Sequence, residues 1–504
     1  MQAFAQGAQS IGYRWLVETY ALTVIPHFRW SYIVRQGARR VLDGGEQQPQ
    51  IFIYDQGYAL DNPQDPFAHA VFALKNEGLN IEIMAAFLKL VAVCDVVAFI
   101  AASPAGKYQR MIWFLYEKFT GIALELPDLK TGAYFDLLDT HMYYTGAPIA
   151  VRRYRVNDNL LGNFAFCPLV RRTAFLTLME GKKLDAVAGA LVEDCDKLLL
   201  ERASTFLYVQ ETMSSHRIES EIPSKDRLAR FISLIKQAEQ VPMLTGESLV
   251  KLQNSVVDAR FSNAGYRSIQ NYIGQSRSWD SQIVHYISPK PADVPELMEG
   301  LLAALHRMLS DNIHPIIIAA SISFGFVFIH PFDDGNGRLH RFLMHYILHR
   351  ASFVPPGMIF PISATILADM AAYTKALEQF SKPLMSIISD YTLDDAGTLV
   401  VGQETSALYR YIDYTGQVEY FAASIERTIE KDFRKELAYL KNYDTTKKAL
   451  SDIVDMPDSL LDLFITIVVQ NNGILSKNKR SSSFARLTDD EVSAMLAVVI
   501  RQML

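Results

Sequence analysis

Apolar residues recur at helical spacing along most of the chain, whereas the alternation typical of half-buried strands is scarce. This pattern predicts helices over residues 181–203, 224–240, 293–309, 315–329, 336–350, 425–454, 458–473 and 488–500. Between 265 and 291 the helical spacing lapses, and the alternating VHYI of 284–287 predicts a strand within a short hairpin. We therefore predict a mostly α fold with a small β-hairpin.

The same pattern divides the chain into three segments. Residues 1–204 mix helical segments with polar loops and are interpreted as a helical accessory region, and residues 205–395 form a central domain. Residues 396–504 start with a long charged helix and end with short helices around the basic loop KNKRSSS. Two interpretations of this last segment stay open: a winged-helix-like module and a helical packing domain. Contact of the basic loop with DNA is possible in the first, but we favour a solvated loop.

Composition narrows the class of protein. Half of the 504 residues are hydrophobic, enough for sizeable cores, and 49 Lys+Arg against 55 Asp+Glu argue against general coating of nucleic acid. The apolar stretch 79–102 contains Glu82, Lys89 and Asp95, so we interpret it as a buried helix and not as a membrane span. The start of the chain lacks the pattern of a signal peptide. The three cysteines are widely spaced, which suits a reducing compartment: Cys94, Cys167 and Cys195. We expect a soluble, cytoplasmic protein without membrane contact.

One stretch carries most of the chemistry, FVFIHPFDDGNGRLHR at 326–341. An apolar helix runs into His330, the chain turns, and a second helix starts near Arg338. Gly335 and Gly337 permit the positive-φ geometry in which backbone N–H groups converge on an anion. The N-terminus of the following helix adds its own N–H groups and the positive end of its dipole. The stretch therefore predicts a phosphate cradle.

The side chains around this cradle suit phosphoryl or nucleotidyl transfer. Arg338 and Arg341 lie three residues apart on one helix face and can fork onto phosphate oxygens. Asp334 offers a hard carboxylate oxygen to Mg²⁺, Asn336 can hydrogen-bond a phosphate oxygen, and His330 suits a general base near neutral pH. A tight turn with surface arginines is the alternative, but it leaves the combination with His and Asp unexplained.

Residues 330–341 resemble the signature HPFx(D/E)GNGRxxR of the Fic (filamentation induced by cAMP) family at every specified position. GYRSIQNYIG (265–274) and ISPKPADVPELMEGLLAALH (287–306) are similar to the segment around the Fic flap and the helix after it. The resemblance covers 205–395, and the flanking segments resemble the accessory regions of longer bacterial Fic proteins. It implies a Fic-type helical core with a β-hairpin flap at 265–291 and an active-site loop at 330–341.

Fic proteins mostly transfer AMP from ATP to a hydroxyl of a target protein and release pyrophosphate. By this resemblance, His330 would deprotonate the hydroxyl, Asp334 would hold Mg²⁺ against the α- and β-phosphates, and Asn336 would contact the α-phosphate. The remaining phosphate-binding groups would be Gly335, Gly337, Arg338 and Arg341. Tyr373 aligns loosely with residues that line the adenine pocket, although we slightly favour a core aromatic at that position.

The run Ser215 to Ser220, SHRIES, resembles the inhibitory helix motif (S/T)xxxE(G/N) of the family, here within a helix over 212–222. In such proteins the Glu, here Glu219, pairs with the second arginine of the motif, here Arg341, and prevents productive placement of the γ-phosphate. Ser215 and Glu219 would share one helix face, whereas Ser220 departs from the usual Gly or Asn. A solvated Glu on an ordinary helix is the alternative.

The flap is expected to dock the target backbone as an added strand. The candidate docking residues are Ile273, Gly274, Ile283 and Val284. Trp279 between the two strands fits equally well as a loop residue packed against the core.

The leading hypothesis is an autoinhibited protein adenylyltransferase that uses ATP and Mg²⁺ and modifies a Ser, Thr or Tyr hydroxyl of a target protein. Self-modification and homodimerisation are further options that the family offers. One alternative is a Fic enzyme that uses another donor or removes AMP. Another is a regulator whose C-terminal segment binds DNA or a partner under control of the Fic site.

Overall fold

The computed structural model describes residues 8–35, 39–43, 45, 48–193, 195–238, 243–258, 260, 262–278, 281–394 and 397–504. Contacts group the chain into two compact units that alternate along the sequence. Unit 1 consists of Met1–Lys182, Pro223–Ala351 and Asp369–Ala422. Unit 2 consists of Lys183–Ile222, Ser352–Ala368 and Ala423–Leu504. The three continuous domains predicted from the sequence, with boundaries at 204/205 and 395/396, stay predictions.

Helices dominate the described chain, as predicted. In chain order they are α1 (Tyr13–Thr19), α2 (Pro66–Asn76), α3 (Ile81–Leu88), α4 (Val93–Ala102), α5 (Lys107–Thr120), α6 (Ala174–Gly181), α7 (Leu184–Glu193), α8 (Lys197–Ile218), α9 (Lys225–Gln237), α10 (Gly246–Val256), α11 (Val294–Ser310), α12 (Pro315–Ile329), α13 (Asn336–Arg350), α14 (Ile362–Ala368), α15 (Met370–Ile387), α16 (Thr415–Arg427), α17 (Arg434–Ile453), α18 (Asp458–Gln470), α19 (Lys477–Ser481) and α20 (Asp489–Met503). A π-helical stretch, Thr428–Phe433, joins α16 to α17.

The strands are short. They are β1 (Ala8–Ile11), β2 (Arg29–Val34), β3 (Arg40–Leu42), β4 (Gln50–Tyr54), β5 (Phe135–Asp136), β6 (Ile149–Val151), β7 (Val156–Asp158), β8 (Tyr272–Ser278), β9 (Ser281–Ile287), β10 (Tyr391–Leu393) and β11 (Leu399–Val401). They form a four-stranded sheet β1-β2-β4-β3, a three-stranded sheet β5-β7-β6 and two hairpins, β8-β9 and β10-β11. In the first sheet β2 and β4 run parallel, and the other pairs run antiparallel.

The two sheets of the N-terminal region were not predicted, because the sequence analysis expected only helices and loops there. Their strands span two to six residues. Over so few positions the period-two pattern cannot be told from loop sequence. The β8–β9 hairpin, in contrast, was predicted from VHYI and is confirmed, with β9 covering 281–287. Trp279 lies outside the described residues.

The long periodic segments of the central region form the predicted helices. α12 and α13 have the predicted limits, and α9 begins after Ser224, whose side chain caps the Arg227 N–H. The single helix predicted over 181–203 is wrong, since α7 ends at Glu193 and α8 begins after Asp196. The Asp196 carboxylate accepts the N–H of Leu199, and this N-cap starts a new helix where periodicity alone predicted continuation.

α12 brings the chain to the functional loop. Its sequence PIIIAASISFGFVFI is apolar around its whole circumference and almost entirely buried, packed against α11 and α13. Pro315 occupies the first turn, where a missing N–H costs nothing. Because α12 and α13 are held in one core, the turn between them is fixed at both ends.

The C-terminal part of unit 2 consists of packed helices. α17, α18 and α20 pack around a core that includes Leu450, Phe464, Phe484 and Met495. Thr488 and Glu491 form a capping box at the start of α20. Residues 434–504, all of them described, contain no strand, and the two interpretations of 396–504, winged-helix-like module or helical packing domain, stay predictions.

No single helix in the described part of the chain is both long and apolar enough to cross a membrane. The bent pair α3 and α4, with 116° between the two helices, meets the length and composition requirement only when the two are taken together.

Candidate active site

His330 ends α12 in a left-handed backbone conformation, with φ 52° and ψ 59°. Its N–H still donates to the Phe326 carbonyl at 2.9 Å and closes the last turn of the helix. Residues with a Cβ rarely adopt this conformation, because the Cβ approaches the following carbonyl oxygen. The chain therefore leaves the axis of α12 at His330, which places the imidazole at the head of the loop.

The His330 ring is held as a neutral base. Its Nδ1 lies 3.3 Å from the Val327 carbonyl oxygen, and since a carbonyl only accepts, Nδ1 carries the proton and Nε2 keeps its lone pair. Burial lowers the pKa of His330 to about 4, whereas the hydrogen bond to Val327 acts in the opposite direction. At neutral pH, Nε2 is ready to accept a proton from a hydroxyl.

Asn336 closes the loop that follows. Its Oδ1 accepts the N–H of Phe332 at 3.0 Å, and its Nδ2 donates to the Phe332 carbonyl at 2.7 Å. Both residues are buried, with Phe332 at 0% exposure. The predicted contact of Asn336 with an α-phosphate would have to use the second N–H of an amide already engaged in holding the loop.

The two arginines of the loop are buried. Arg338 is 1% exposed, and its guanidinium donates to the Val256 carbonyl at 2.7 Å and to Asp334 Oδ1 at 3.0 Å. Arg341, one turn further along α13, is 2% exposed. This burial excludes the alternative of a tight turn with surface arginines. The Arg338 side chain attaches the loop to the end of α10.

The start of α13 has the geometry of an anion site. Gly335, with φ 86°, turns the chain into the helix, and its N–H donates to Asp334 Oδ1 at 2.6 Å. Within the described chain, the N–H groups of Asn336 and Gly337 have no hydrogen-bond acceptor. Unpaired N–H groups at a helix N-terminus, together with the helix dipole, attract phosphate. The predicted cradle thus has the backbone it requires.

Residues outside the loop support it from α10 and from the segment after α10. Gln253 is fully buried, and its Nε2 donates to the Asp334 carbonyl at 3.1 Å and to Asn263 Oδ1 at 3.1 Å. Asn263 in turn donates to Asp333 Oδ2 at 2.7 Å. Sequence reasoning missed this network, because Gln and Asn in a helix and a loop carry no motif.

Sequence reasoning also missed Arg267, which is 3% exposed and donates from Nε to the His330 carbonyl at 2.8 Å. It lies inside the segment GYRSIQNYIG that resembles the family, and that resemblance is the signal that could have found it.

Asp334 suits a magnesium ion that arrives with a nucleotide. Its Oδ1 is engaged by Gly335 and Arg338, and its side chain is 47% exposed. Its Oδ2 has no hydrogen-bond partner in the described part of the chain. Mg²⁺ commonly uses one or two carboxylates and completes its shell with phosphates and water. Among the described residues no group of three or more His, Cys, Asp or Glu could hold a metal ion, and the role of Asp334 toward Mg²⁺ stays a prediction.

The predicted docking residues lie on the β8–β9 hairpin. Ile273 and Ile283 are 49% and 44% exposed, Gly274 is exposed and pairs with Val284, and the register shifts between Ile273 and Gly274. The base of the hairpin is anchored, because the Tyr286 hydroxyl donates to the Phe328 carbonyl of α12. An exposed apolar surface on an anchored hairpin is consistent with docking of an extended segment.

Tyr373 lies on α15 within a group of aromatic rings. It is 7% exposed, and its ring centroid lies 6.2 Å from Phe324, 6.2 Å from His340 and 6.0 Å from Tyr420. These contacts are those of a core aromatic, and the adenine role stays a prediction.

Ser215 and Glu219 lie in unit 2, at the end of α8. Ser215 is buried, and Glu219 is half-buried and forms the C-cap of α8. Ser220 follows with φ 58°, the left-handed conformation that Gly and Asn adopt most easily. Ser220 thus has a backbone conformation that would suit the usual Gly or Asn of the motif. The pairing of Glu219 with Arg341 stays a prediction.

A cavity of about 550 Å³ lies elsewhere in unit 1, and none of residues 330–341 lines it. The site at the loop was therefore identified by its chemistry and not by cavity size.

Comparison with known proteins supports the interpretation of the loop. Residues 244–348, from the start of α10 to near the end of α13, match the model of the Fic/DOC family.

The chain is 31% identical over 140 residues to a protein adenylyltransferase Fic of Nematostella vectensis, covering 27% of this chain and 30% of that relative. It is 38% identical over 82 residues to a protein of the same name from Drosophila mojavensis, covering 16% of each. The matched part thus spans less than a third of either relative. Both relatives are animal proteins, and bacterial origin stays a prediction.

Similar solved structures include a Fic domain containing signaling protein from Bacteroides thetaiotaomicron, with a TM-score of 0.37 and 17% identity over 51% of this chain and 96% of that chain. Fic-1 from C. elegans has a TM-score of 0.34 and 15% identity over 75% of this chain and 94% of that chain.

The family match covers the complete loop, the flap and the helices that hold them. His330, Asp334, Asn336 and Arg338 all lie within it, between the end of α12 and the first turn of α13. Residues 244–348, which hold the candidate site, are therefore similar to the Fic/DOC family.

Proposed function

We propose that this protein is an adenylyltransferase that transfers AMP from ATP to a hydroxyl side chain of a target protein and releases pyrophosphate. The single observation that carries the proposal is the neutral His330 at the head of an anion-binding helix N-terminus. The names of the relatives, which are protein adenylyltransferases, favour AMP over other donated groups.

The base of the reaction is His330. Its Nε2 takes the proton of the target hydroxyl, whose oxygen then attacks the α-phosphorus of ATP. A new P–O bond to the target forms as the bond between the α-phosphorus and the bridging oxygen breaks, and pyrophosphate leaves with the electron pair. Because burial keeps the pKa of His330 near 4, the ring is unprotonated at neutral pH before each turnover.

The start of α13 stabilises the negative charge of the phosphates. The N–H groups of Asn336 and Gly337 face a ligand at the helix N-terminus, where the dipole adds positive potential. Asp334 would hold Mg²⁺, which supplies charge neutralisation on the phosphates when bound. Such catalysis relies on positioning and electrostatics, which suits a loop fixed by Asn336 and Arg338.

Glu219 is proposed to restrain this activity. The support is the motif at 215–220 and its position at the end of α8. Glu219 is the C-cap of α8, and Ser220 has a left-handed backbone conformation. In this proposal the carboxylate of Glu219 competes with the γ-phosphate for Arg341. Removal of the carboxylate should then raise activity.

The test compares wild type, Glu219→Gly and His330→Ala with Mg²⁺ and ATP labelled at either the α- or the γ-phosphate. A protein extract supplies target hydroxyls beyond those of the enzyme itself. We expect protein-bound label from α-labelled ATP only, strongest with Glu219→Gly and absent with His330→Ala. Label from the γ-position would indicate a kinase, and equal α-label with His330→Ala would overturn the role of the base.

A further inference from the structure

We propose that Arg267 is a positioning residue for this reaction, which holds the backbone of His330 and connects it to the base of the flap. The inference rests on the proposed adenylyltransferase activity and adds a residue to which the motif assigns no role.

Arg267 contacts the catalytic loop twice. Its Nε donates to the His330 carbonyl at 2.8 Å, and its backbone N–H donates to the Pro331 carbonyl at 2.8 Å. Two consecutive carbonyls are therefore fixed by one residue, at the point where the chain reverses. His330 has a left-handed conformation that is unfavourable for a residue with a Cβ, so its backbone needs such support.

The same side chain holds the flap. Nη1 donates to the Ile269 carbonyl at 2.8 Å, shortly before β8, and Nη2 donates to the Pro289 carbonyl at 2.5 Å, shortly after β9. One planar guanidinium thus joins both ends of the hairpin to the carbonyl of the catalytic base. A target docked on the flap and the histidine that would deprotonate it share this connection.

The arrangement has an energetic cost that a purely structural role does not explain. Arg267 is 3% exposed, and within the described chain no carboxylate forms an ion pair with it. Burial lowers the pKa of Arg267 to about 10, so it stays charged at neutral pH. A buried charge with only carbonyl partners is unfavourable compared with an apolar side chain of similar size.

Two features of an arginine suit this position. The fork of N–H groups reaches several carbonyls in one plane, which the single ammonium of lysine cannot do. Its positive charge also lies at the C-terminal end of α12, where the helix dipole is negative. The charge of Arg267 lowers the pKa of His330 in addition to the effect of burial, which helps to keep Nε2 unprotonated.

The experiment separates position from charge with two variants. Arg267→Lys keeps the charge but loses the fork, and Arg267→Met loses both. Arg307→Lys is the matched control, because Arg307 in α11 also donates to backbone carbonyls, those of Gly162 and Asp158, away from the loop. AMP transfer by each variant is measured in the Glu219→Gly background, on the target or self-modification site that the labelling experiment identifies.

We expect kcat to fall by about tenfold or more in Arg267→Lys while the KM for ATP stays within about twofold, because the anion site at the start of α13 is untouched. Arg307→Lys should keep kcat within about twofold at a similar loss of thermal stability. The acid limb of the pH profile of kcat should move to higher pH in Arg267→Met and stay in place in Arg267→Lys. Equal kcat losses in Arg267→Lys and Arg307→Lys would overturn the proposal.

A readout independent of activity distinguishes failure of this inference from failure of the proposed function. The ¹⁵N NMR shifts of His330 report which ring nitrogen is protonated and at what pH. We expect a changed tautomer ratio in both Arg267 variants and a raised pKa of His330 in Arg267→Met. Unchanged His330 signals in both variants would overturn the positioning role even if AMP transfer is confirmed. Changed signals without any AMP transfer would support it and reject the proposed function instead.

Discussion

Asn336 binds the backbone of Phe332 through both ends of its side-chain amide, with Oδ1 3.0 Å from the Phe332 nitrogen and Nδ2 2.7 Å from the Phe332 oxygen. This pair closes the loop between α12 and α13. The orientation of His330 at one end and of the α13 N-terminus at the other depends on it. The shape of the loop therefore rests on an amide for which the sequence predicted a contact with phosphate.

Asn336→Ala should destabilise the protein and abolish the activity of the site. It leaves the buried N–H and carbonyl of Phe332 without partners, which costs about 2–4 kcal/mol for the pair. Urea unfolding gives the stability, and AMP transfer at a temperature where the variant is folded gives the activity. Asn80→Ala, which removes the N-cap of α3 remote from the loop, should lose stability but keep activity. Retained activity in Asn336→Ala would show that the loop does not need this closure.

Gly335→Ala should also impair the site, by a different cause. Gly335 has φ 86°, and an added Cβ would lie 3.0 Å from Val257 Cγ1. We expect a loss of about 1–2 kcal/mol in the free energy of unfolding from the backbone alone, with a further loss from the contact. The control is Gly189→Ala in α7, where an added Cβ has no neighbour within 4 Å among the described residues and should stabilise by about 0.5–1 kcal/mol. Equal changes in the free energy of unfolding for the two substitutions would contradict this reasoning.

Stability should fall as pH rises above the acidic range because of Glu82. Its carboxyl is 6% exposed, accepts the Ile25 N–H at 2.9 Å, and has a pKa raised by burial from 4.5 to about 8. Between these values the folded state holds a proton that the unfolded chain has released. The free energy of unfolding then decreases with pH by up to about 1.4 kcal/mol per unit.

Glu82→Gln should flatten this dependence and exceed wild type in stability above the raised pKa. Glu77, whose pKa burial raises to about 7, should leave a residual slope. His27, His330 and His340 have lowered pKa values and affect stability only below about pH 6.5, the pKa of a free His. The measurement is urea unfolding from about pH 6 to 9, with the exposed Glu125→Gln as control. Parallel curves for Glu82→Gln and wild type would refute the assignment.

Ser220→Gly should stabilise the end of α8. Ser220 has φ 58°, and the N–H of Glu221 donates to the His216 carbonyl at 2.9 Å to close the helix end. Replacing serine by glycine removes the cost of a Cβ in this conformation, about 1 kcal/mol. Amide exchange at Ser220 and Glu221 should slow accordingly. The control is Thr205→Gly in the exposed middle of the same helix, which should destabilise the helix.

The helices whose limits were predicted correctly are those whose start and stop signals lie within a few residues of their ends. α12 and α13 have their predicted limits, because long apolar runs end at Pro, Gly and polar turns that act within a few residues. The break between α7 and α8 depends on one capping carboxylate, Asp196, and periodicity does not register it. In the first N-terminal sheet β2 pairs with β4 and not with the next strand β3, a pairing that no local pattern shows.

The sequence by itself determined which residues form the candidate site, because His330, Asp334, Asn336 and the arginines follow one another within residues 330–341. Only the tertiary structure decided which contacts each of these groups makes. Burial of Arg338 makes it a support for the loop, the carbonyl of Val327 selects the protonated nitrogen of His330, and Arg267 reaches the site from 63 positions away. Such roles depend on which atoms meet in the folded core, and no local pattern of residues encodes these contacts.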